Sequence, residues 1–222
     1  MKNLVFHLTE RGLAQPVLKA LILFPALFFF VSGASAQTFQ WAKQAGGTGT
    51  DYGWGIARDA AGNSYVTGAF QGTAAFDNTT LTGSGGSDIF IARYNDAGTL
   101  QWAQKAGGTG NDGGYGIDVT PDGNDLYVTG YFTGTAVFGT TALTAAGSAD
   151  VFIARYDGNT GNLVWVQKAG GALGDYAFHA KINHTGTELY LTGLFLSTAF
   201  FGGHSVTSSG YDDIFVAKYD AS

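Results

Sequence analysis

The chain alternates short apolar runs with turns rich in Gly and Asn. Residues 53–59 and 64–70, joined by Ala60-Ala-Gly-Asn63, predict a β-hairpin, because Gly and Asn supply the positive φ that a tight turn needs. Residues 87–94 and 99–105, joined by Asn95-Asp-Ala-Gly98, predict a second hairpin, and residues 74–82 a small excursion between the two. Together they read as a four-stranded antiparallel meander. Its third strand carries Ile89, Phe90, Ile91, Ala92 and Tyr94, which leaves almost no polar face. A sheet with one side in water would alternate, so both faces of this one must be covered.

The pattern recurs. Trp41-Ala-Lys-Gln-Ala-Gly-Gly47 returns as Trp102-Ala-Gln-Lys-Ala-Gly-Gly108 and Trp165-Val-Gln-Lys-Ala-Gly-Gly171, at offsets of 61 and 63 residues. Tyr65-Val-Thr-Gly68 and Asp88-Ile-Phe-Ile-Ala-Arg-Tyr94 each return twice, in the same order. Repeats at such a period signal units that bury their apolar faces on one another. The expectation is an all-β fold of β-propeller blades: three four-stranded antiparallel repeats of about 62 residues, spanning roughly 39–100, 101–163 and 164–222. Three blades are fewer than the roughly four to eight that close a ring. A partial propeller is therefore expected, completed by further blades or by a homodimer.

The Trp-x4-Gly-Gly, Tyr-(Val/Leu)-Thr-Gly and Asp-x-Phe-x-Ala-(Arg/Lys)-Tyr motifs together resemble the SBBP-type β-propeller repeats of secreted, often modular, bacterial proteins. The resemblance runs from Phe39 to Asp220. It implies a propeller fold, export, and a binding or scaffolding role, and it brings no shared catalytic residues. The Gly-Asn at Gly62-Asn63 and Gly123-Asn124 becomes Gly186-Thr187 in the third copy, a local departure.

Residues 1–36 stand apart from the repeats. Lys2, Arg11 and Lys19 precede the apolar run ALILFPALFFFV at 20–31, which is short for a bilayer span, and Ala34-Ser35-Ala36 is the small-x-small pattern of a signal-peptidase site. They read as a signal peptide, with 37–222 as the repeat domain and a secreted or extracytoplasmic location (cell surface or periplasm) without membrane insertion after cleavage. Residues 37–222 carry 8 Lys plus Arg against 16 Asp plus Glu, a surface that repels nucleic acid and anionic lipid. There is no Cys.

A residue found in every repeat is most simply structural. Asp51, Asp112 and Asp175 follow each Gly-Gly by four residues, and Asp88, Asp150 and Asp213 open each third strand; all read as acceptors for turn N–H groups. His179, His184 and His204 break the symmetry, but their spacing with Asp175 matches no zinc signature, so no metal is assigned. Asp122-Gly-Asn124-Asp125 lacks the calcium-loop order, and Gly108-Thr-Gly110-Asn-Asp-Gly113 opens no helix to cradle a phosphate. Trp54, Tyr115 and Phe178 occupy equivalent positions, and with His179 they are the candidate ligand-binding residues. Their rings either pack between repeats or stack on a ligand.

No nucleophile, base and orienter converge, so neither catalytic residues nor a cofactor are assigned. The expected role is a secreted, non-enzymatic module for binding or scaffolding, with an unidentified protein or glycan as partner. The alternative is an exported quinoprotein-like propeller enzyme or a carbohydrate-active protein, the former suggested by the likeness of Arg155-Tyr-Asp-Gly-Asn-Thr-Gly-Asn-Leu-Val-Trp165 to the Trp docking motif of quinoproteins. Export predicts that the protein recovered outside the cytoplasm starts at Gln37. Intact-mass measurement checks this, and retention of Met1 to Ala36 would refute the signal reading.

Overall fold

The structure is a computed structural model that describes residues 38–221, so the expected signal segment lies outside the described residues. All regular elements among the described residues are strands. Counted by the meander, which ends on the Trp-bearing strand and so runs past the bounds expected above, the first repeat holds β1 (Ala45–Gly47), β2 (Tyr52–Arg58), β3 (Ser64–Phe76), β4 (Thr79–Tyr94) and β5 (Leu100–Gly108). The second holds β6 (Gly113–Val119), β7 (Asp125–Phe132), β8 (Thr135–Phe138), β9 (Thr141–Thr144), β10 (Asp150–Asp157) and β11 (Leu163–Gly171). The third holds β12 (Tyr176–Ile182), β13 (Glu188–Phe201) and β14 (His204–Asp220).

Both expected hairpins form. β2 pairs with β3 and β4 with β5, all antiparallel, and Gly62 and Gly98 close their turns at φ 92° and 75°. The Asp59 carboxylate accepts from both the backbone and the side-chain amide of Asn63, which fixes the first turn. The expected excursion is an outgrowth of β3 and β4 themselves, which pair from Ser64↔Tyr94 to Phe76↔Thr79 across a register shift near Gly72. In the second repeat this outgrowth stands alone as β8 and β9.

The repeats are not self-contained blades, and the propeller expectation is corrected on that point. The Ala-Gly-Gly end of β5 leaves β4 and pairs with β8 of the next repeat, and β11 likewise reaches β13. The ladders therefore merge into two seven-stranded antiparallel sheets in place of three radial four-stranded ones. In the second sheet β12 returns against β6, so that the sheet nearly closes into a barrel. The physical reason lies in the glycines. A Cβ on Gly108 or Gly171 would stand 1.9 Å from the carbonyl oxygen of Thr135 or Thr198, so only glycine lets the strand end approach its new partner this closely.

The covered-face expectation holds for β4 and β10 but not for β14, where Ile214 and Val216 are exposed. Tyr65, Ile89 and Ile91 of the first repeat pack on Leu126, Val128 and Phe152 of the second, all fully buried. The opposite faces of β7 and β10 turn Tyr127, Val151 and Ile153 towards Leu189, Leu191 and Phe215 of the third. The hydroxyls of Thr67 and Thr129, buried within these layers, donate to Phe90 O at 2.8 Å and Phe152 O at 2.6 Å, whereas the Tyr156 hydroxyl is buried without a hydrogen-bond partner.

Asp51, Asp112 and Asp175 do the structural task expected of them. Each accepts the backbone N–H of the second glycine of its Gly-Gly pair at 2.7 Å, with a second backbone N–H from Gln71, Thr133 or Leu196. Burial pushes the Asp112 and Asp175 carboxyls up to about 6 despite these donors, and Asp88 and Asp150 beside them add to the rise. Asp88 Oδ1 and Asp150 Oδ1, beside them, are buried without a hydrogen-bond partner. A raised carboxyl pKa stabilises the fold fully below about pH 4, and that contribution is lost as pH rises towards 6. Asp122 and Asp157, held low mainly by hydrogen bonds from Thr120 and Thr160, act in the opposite sense. Relative to the variant Asp112→Asn/Asp175→Asn, the parent is therefore expected to lose stability between pH 4 and 7, on the order of 1–3 kcal/mol per site. Urea unfolding at each pH measures this, and a difference that is flat or rises with pH would refute the assignment.

Candidate functional site

Trp54, Tyr115 and Phe178 each fall at a break in strand register, between Gly53 and Gly55, between Gly114 and Gly116, and between Ala177 and His179. Each is thus the extra residue of a β-bulge, which kinks the strand and re-aims a side chain. Three repeats place the same irregularity at the same point, and the rings meet. Trp54 lies 4.6 Å from Tyr115 between ring centroids, and Tyr115 lies 5.6 Å from Phe178.

Three further rings extend the group. Tyr52 stacks on Trp54 at 5.4 Å, Tyr131 stacks on Tyr115 at 5.4 Å, and Tyr176 sits 5.1 Å from Tyr131. The result is a continuous row of six aromatics drawn from β2, β6, β7 and β12. A glycine makes its packing possible. A Cβ on Gly113 would lie 2.9 Å from Trp54 and 2.8 Å from Tyr131, so the second repeat has glycine where the first has Tyr52 and the third Tyr176.

The row is neither core nor free surface. Tyr52, Trp54 and Phe178 are 53%, 41% and 37% exposed, while Tyr115, Tyr131 and Tyr176 are half-buried. It therefore stands between the two readings of the sequence, with the rings packed on one another and part of their surface left to solvent. Burial, with the neighbouring Tyr131 hydroxyl, pushes the Tyr115 phenol up to about 12, so the hydroxyl stays neutral and serves as donor and acceptor. The row forms a ridge; a cavity of about 270 Å³ opens beside its Tyr52 end, over Val66, Phe70 and Phe90.

His179 follows Phe178 and is exposed, lying opposite Thr192 in the β12–β13 ladder. His184 lies in the turn after β12, beside Pro121 and Asp122. The carboxylate of Asp175 faces the backbone amides of Gly171 and Leu196. The sequence cluster of Asp175, His179 and His184 is not assembled as a metal centre, and among the described residues no three His, Cys, Asp or Glu side chains gather to hold one. Asp122 spends its oxygens on Thr120 and Asn124, and Glu188 on Lys218, Tyr190 and Asn183.

The sequence argument missed Tyr52, Tyr131 and Tyr176. The first and last carry a signal in hindsight, since Tyr52-x-Trp54 and Tyr176-x-Phe178 repeat an i, i+2 aromatic pair along a strand. Tyr131 carries none, because its strand reaches the row only through tertiary structure.

Compared with known families, residues 40–69 match the family model described as SBBP, Beta-propeller repeat. The match covers the first Trp-to-Gly-Gly segment and the β2–β3 hairpin, and it supports distant homology at the level of the repeat. No curated protein matches the chain.

Proposed function

We propose that this chain is an exported, non-catalytic binding module whose ligand surface is the six-ring row and whose ligand is a neutral glycan. The observation that carries the proposal is the convergence of three bulged aromatics, one from each repeat, into a partly exposed ridge. A bulge placed only for packing would bury its ring. These keep about two-fifths of the Trp54 and Phe178 surface in water.

The chemistry of the ridge favours a sugar. Rigid aromatic faces offer large contact area at low entropic cost, and the apolar face of a pyranose can lie flat on them. The hydroxyls of Tyr115, Tyr131 and Tyr176 supply uncharged donors and acceptors beside those faces. The acidic balance of residues 37–222 disfavours polyanions at the same surface. A chain of sugar rings laid along a row of protein rings would make several modest contacts in register, which suits recognition of a polymer at the cell exterior.

Titration with neutral oligosaccharides, followed by intrinsic tryptophan fluorescence, is expected to show saturable binding. Trp54→Ala and Phe178→Ala, the former followed by calorimetry, are each expected to weaken it about tenfold, equal to 1.4 kcal/mol. Both side chains are partly exposed, so far-UV circular dichroism should be unchanged. Equal affinity in parent and variants, or binding of unstructured peptides in preference to sugars, would refute the glycan reading.

A further inference from the structure

A second surface, away from the aromatic row, is defined by comparing the repeats with one another. Ile89 and Val151 are fully buried against the following repeat, whereas the equivalent Ile214 is 83% exposed. Ile91 and Ile153 are buried likewise, and their counterpart Val216 is 76% exposed. Tyr65 and Tyr127 repeat the contrast with Tyr190, which is 40% exposed. The third repeat thus presents uncovered the residues by which the first and second hold their successors. The first repeat shows the reciprocal defect. Ile117 and Ala180 are buried against the preceding repeat, but the equivalent Ile56 is 71% exposed.

The sheet edge tells the same story. In the first two repeats the third strand is flanked by a Trp-bearing strand, with Trp102 opposite Arg93 and Trp165 opposite Arg155. Among the described residues β14 pairs with β13 alone. Its other edge borders a groove of about 850 Å³ lined by Phe215, Ala217 and Tyr219. In the earlier repeats the equivalent space is packed by Leu100 and Ala103, or by Leu163 and Val166. The chain contains a third copy of that strand sequence at 39–47, whose residues 39–44 lie outside any strand. Trp41 of this copy already donates its Nε1–H to Asp96 O at 3.0 Å, as Trp102 donates to Gly158 O at 3.2 Å. It is seated on its own repeat, and among the described residues no strand flanks it on the other side.

We infer that these two surfaces are the halves of one head-to-tail interface between copies of this chain, in which segment 39–44 of one copy pairs along the edge of β14 opposite β13 in another, over Ile214–Lys218. By the register of the internal junctions, Trp41 of one copy lies opposite Lys218 of the other. Phe39 and Ala42 enter the groove at the positions that Leu100 and Ala103 take inside the chain, and the Ile56 and Val66 face covers Ile214 and Val216. The occupant is a second copy because the junctions inside the chain are the template: the same residue types, at the same repeat positions, already bury one another twice. Such an interface is heterologous, so it either closes when the rotation permits or continues as an open chain. It also leaves the Trp54–Tyr115–Phe178 contacts within each copy unchanged.

Sedimentation velocity on the purified protein, up to ~100 µM, is expected to show a multiple of the chain mass. Ile56→Glu and Ile214→Glu/Val216→Glu alter exposed side chains, so both variants should keep parental circular dichroism, and each alone should be monomeric. Because each retains one intact half, mixing the two should restore a dimer. A monomeric parent, association that survives both variants, or a mixture that stays monomeric would overturn the inference; loss of association in only one variant would point to a two-fold symmetric contact instead.

Discussion

A strand that is apolar on both sides loses stability when one of its faces is left in water, and the third strand of each repeat is such a strand; β4 and β10 are covered on both faces, whereas β14 leaves Ile214 and Val216 exposed. Burying one Ile or Phe stabilises a fold by about 1.5–3 kcal/mol, and β10 buries Val151 and Ile153 on one face with Phe152 on the other. The second repeat must therefore be sandwiched. Layering of the repeats follows from that requirement.

Glycine and aspartate make the layering geometrically possible. The Ala-Gly-Gly ends of β5 and β11 cross to the next repeat at a carbonyl distance that no Cβ would tolerate, and an Asp four residues later accepts the N–H of the second glycine. Burial in that position raises the Asp112 and Asp175 carboxyls to about 6. The same economy of space produces the aromatic row. Bulges aim Trp54, Tyr115 and Phe178 together, and Gly113 clears room for them. The ridge is thus a by-product of repetition, with its partial exposure set by side chains that differ from one repeat to the next.

Much of this was legible in the chain. The hairpins around Gly62 and Gly98 follow from turn chemistry, and the need for cover on both faces follows from Ile89 to Tyr94. The alignment of Trp54, Tyr115 and Phe178 follows from the repeat itself. The merging of the sheets was not legible, because pairing of β5 with β8 rests on backbone approach at Gly108, which leaves no hydrophobic pattern to read. Treating each meander as a closed blade therefore gave the wrong sheet boundaries. The bulges were hidden for a similar reason: one unpaired residue in a ladder has no signature when its neighbours are glycines, as at Gly53 and Gly55.

The central claim is that the second repeat is held by burial on both faces, so that the layers open as one unit. Native-state hydrogen exchange tests it directly, since the amides of β4, β7 and β10 report on both junctions. The account predicts that these amides exchange most slowly and share a single opening free energy, equal to that of global unfolding. Separate, lower opening energies for the three repeats, with β10 no better protected than β14, would contradict it.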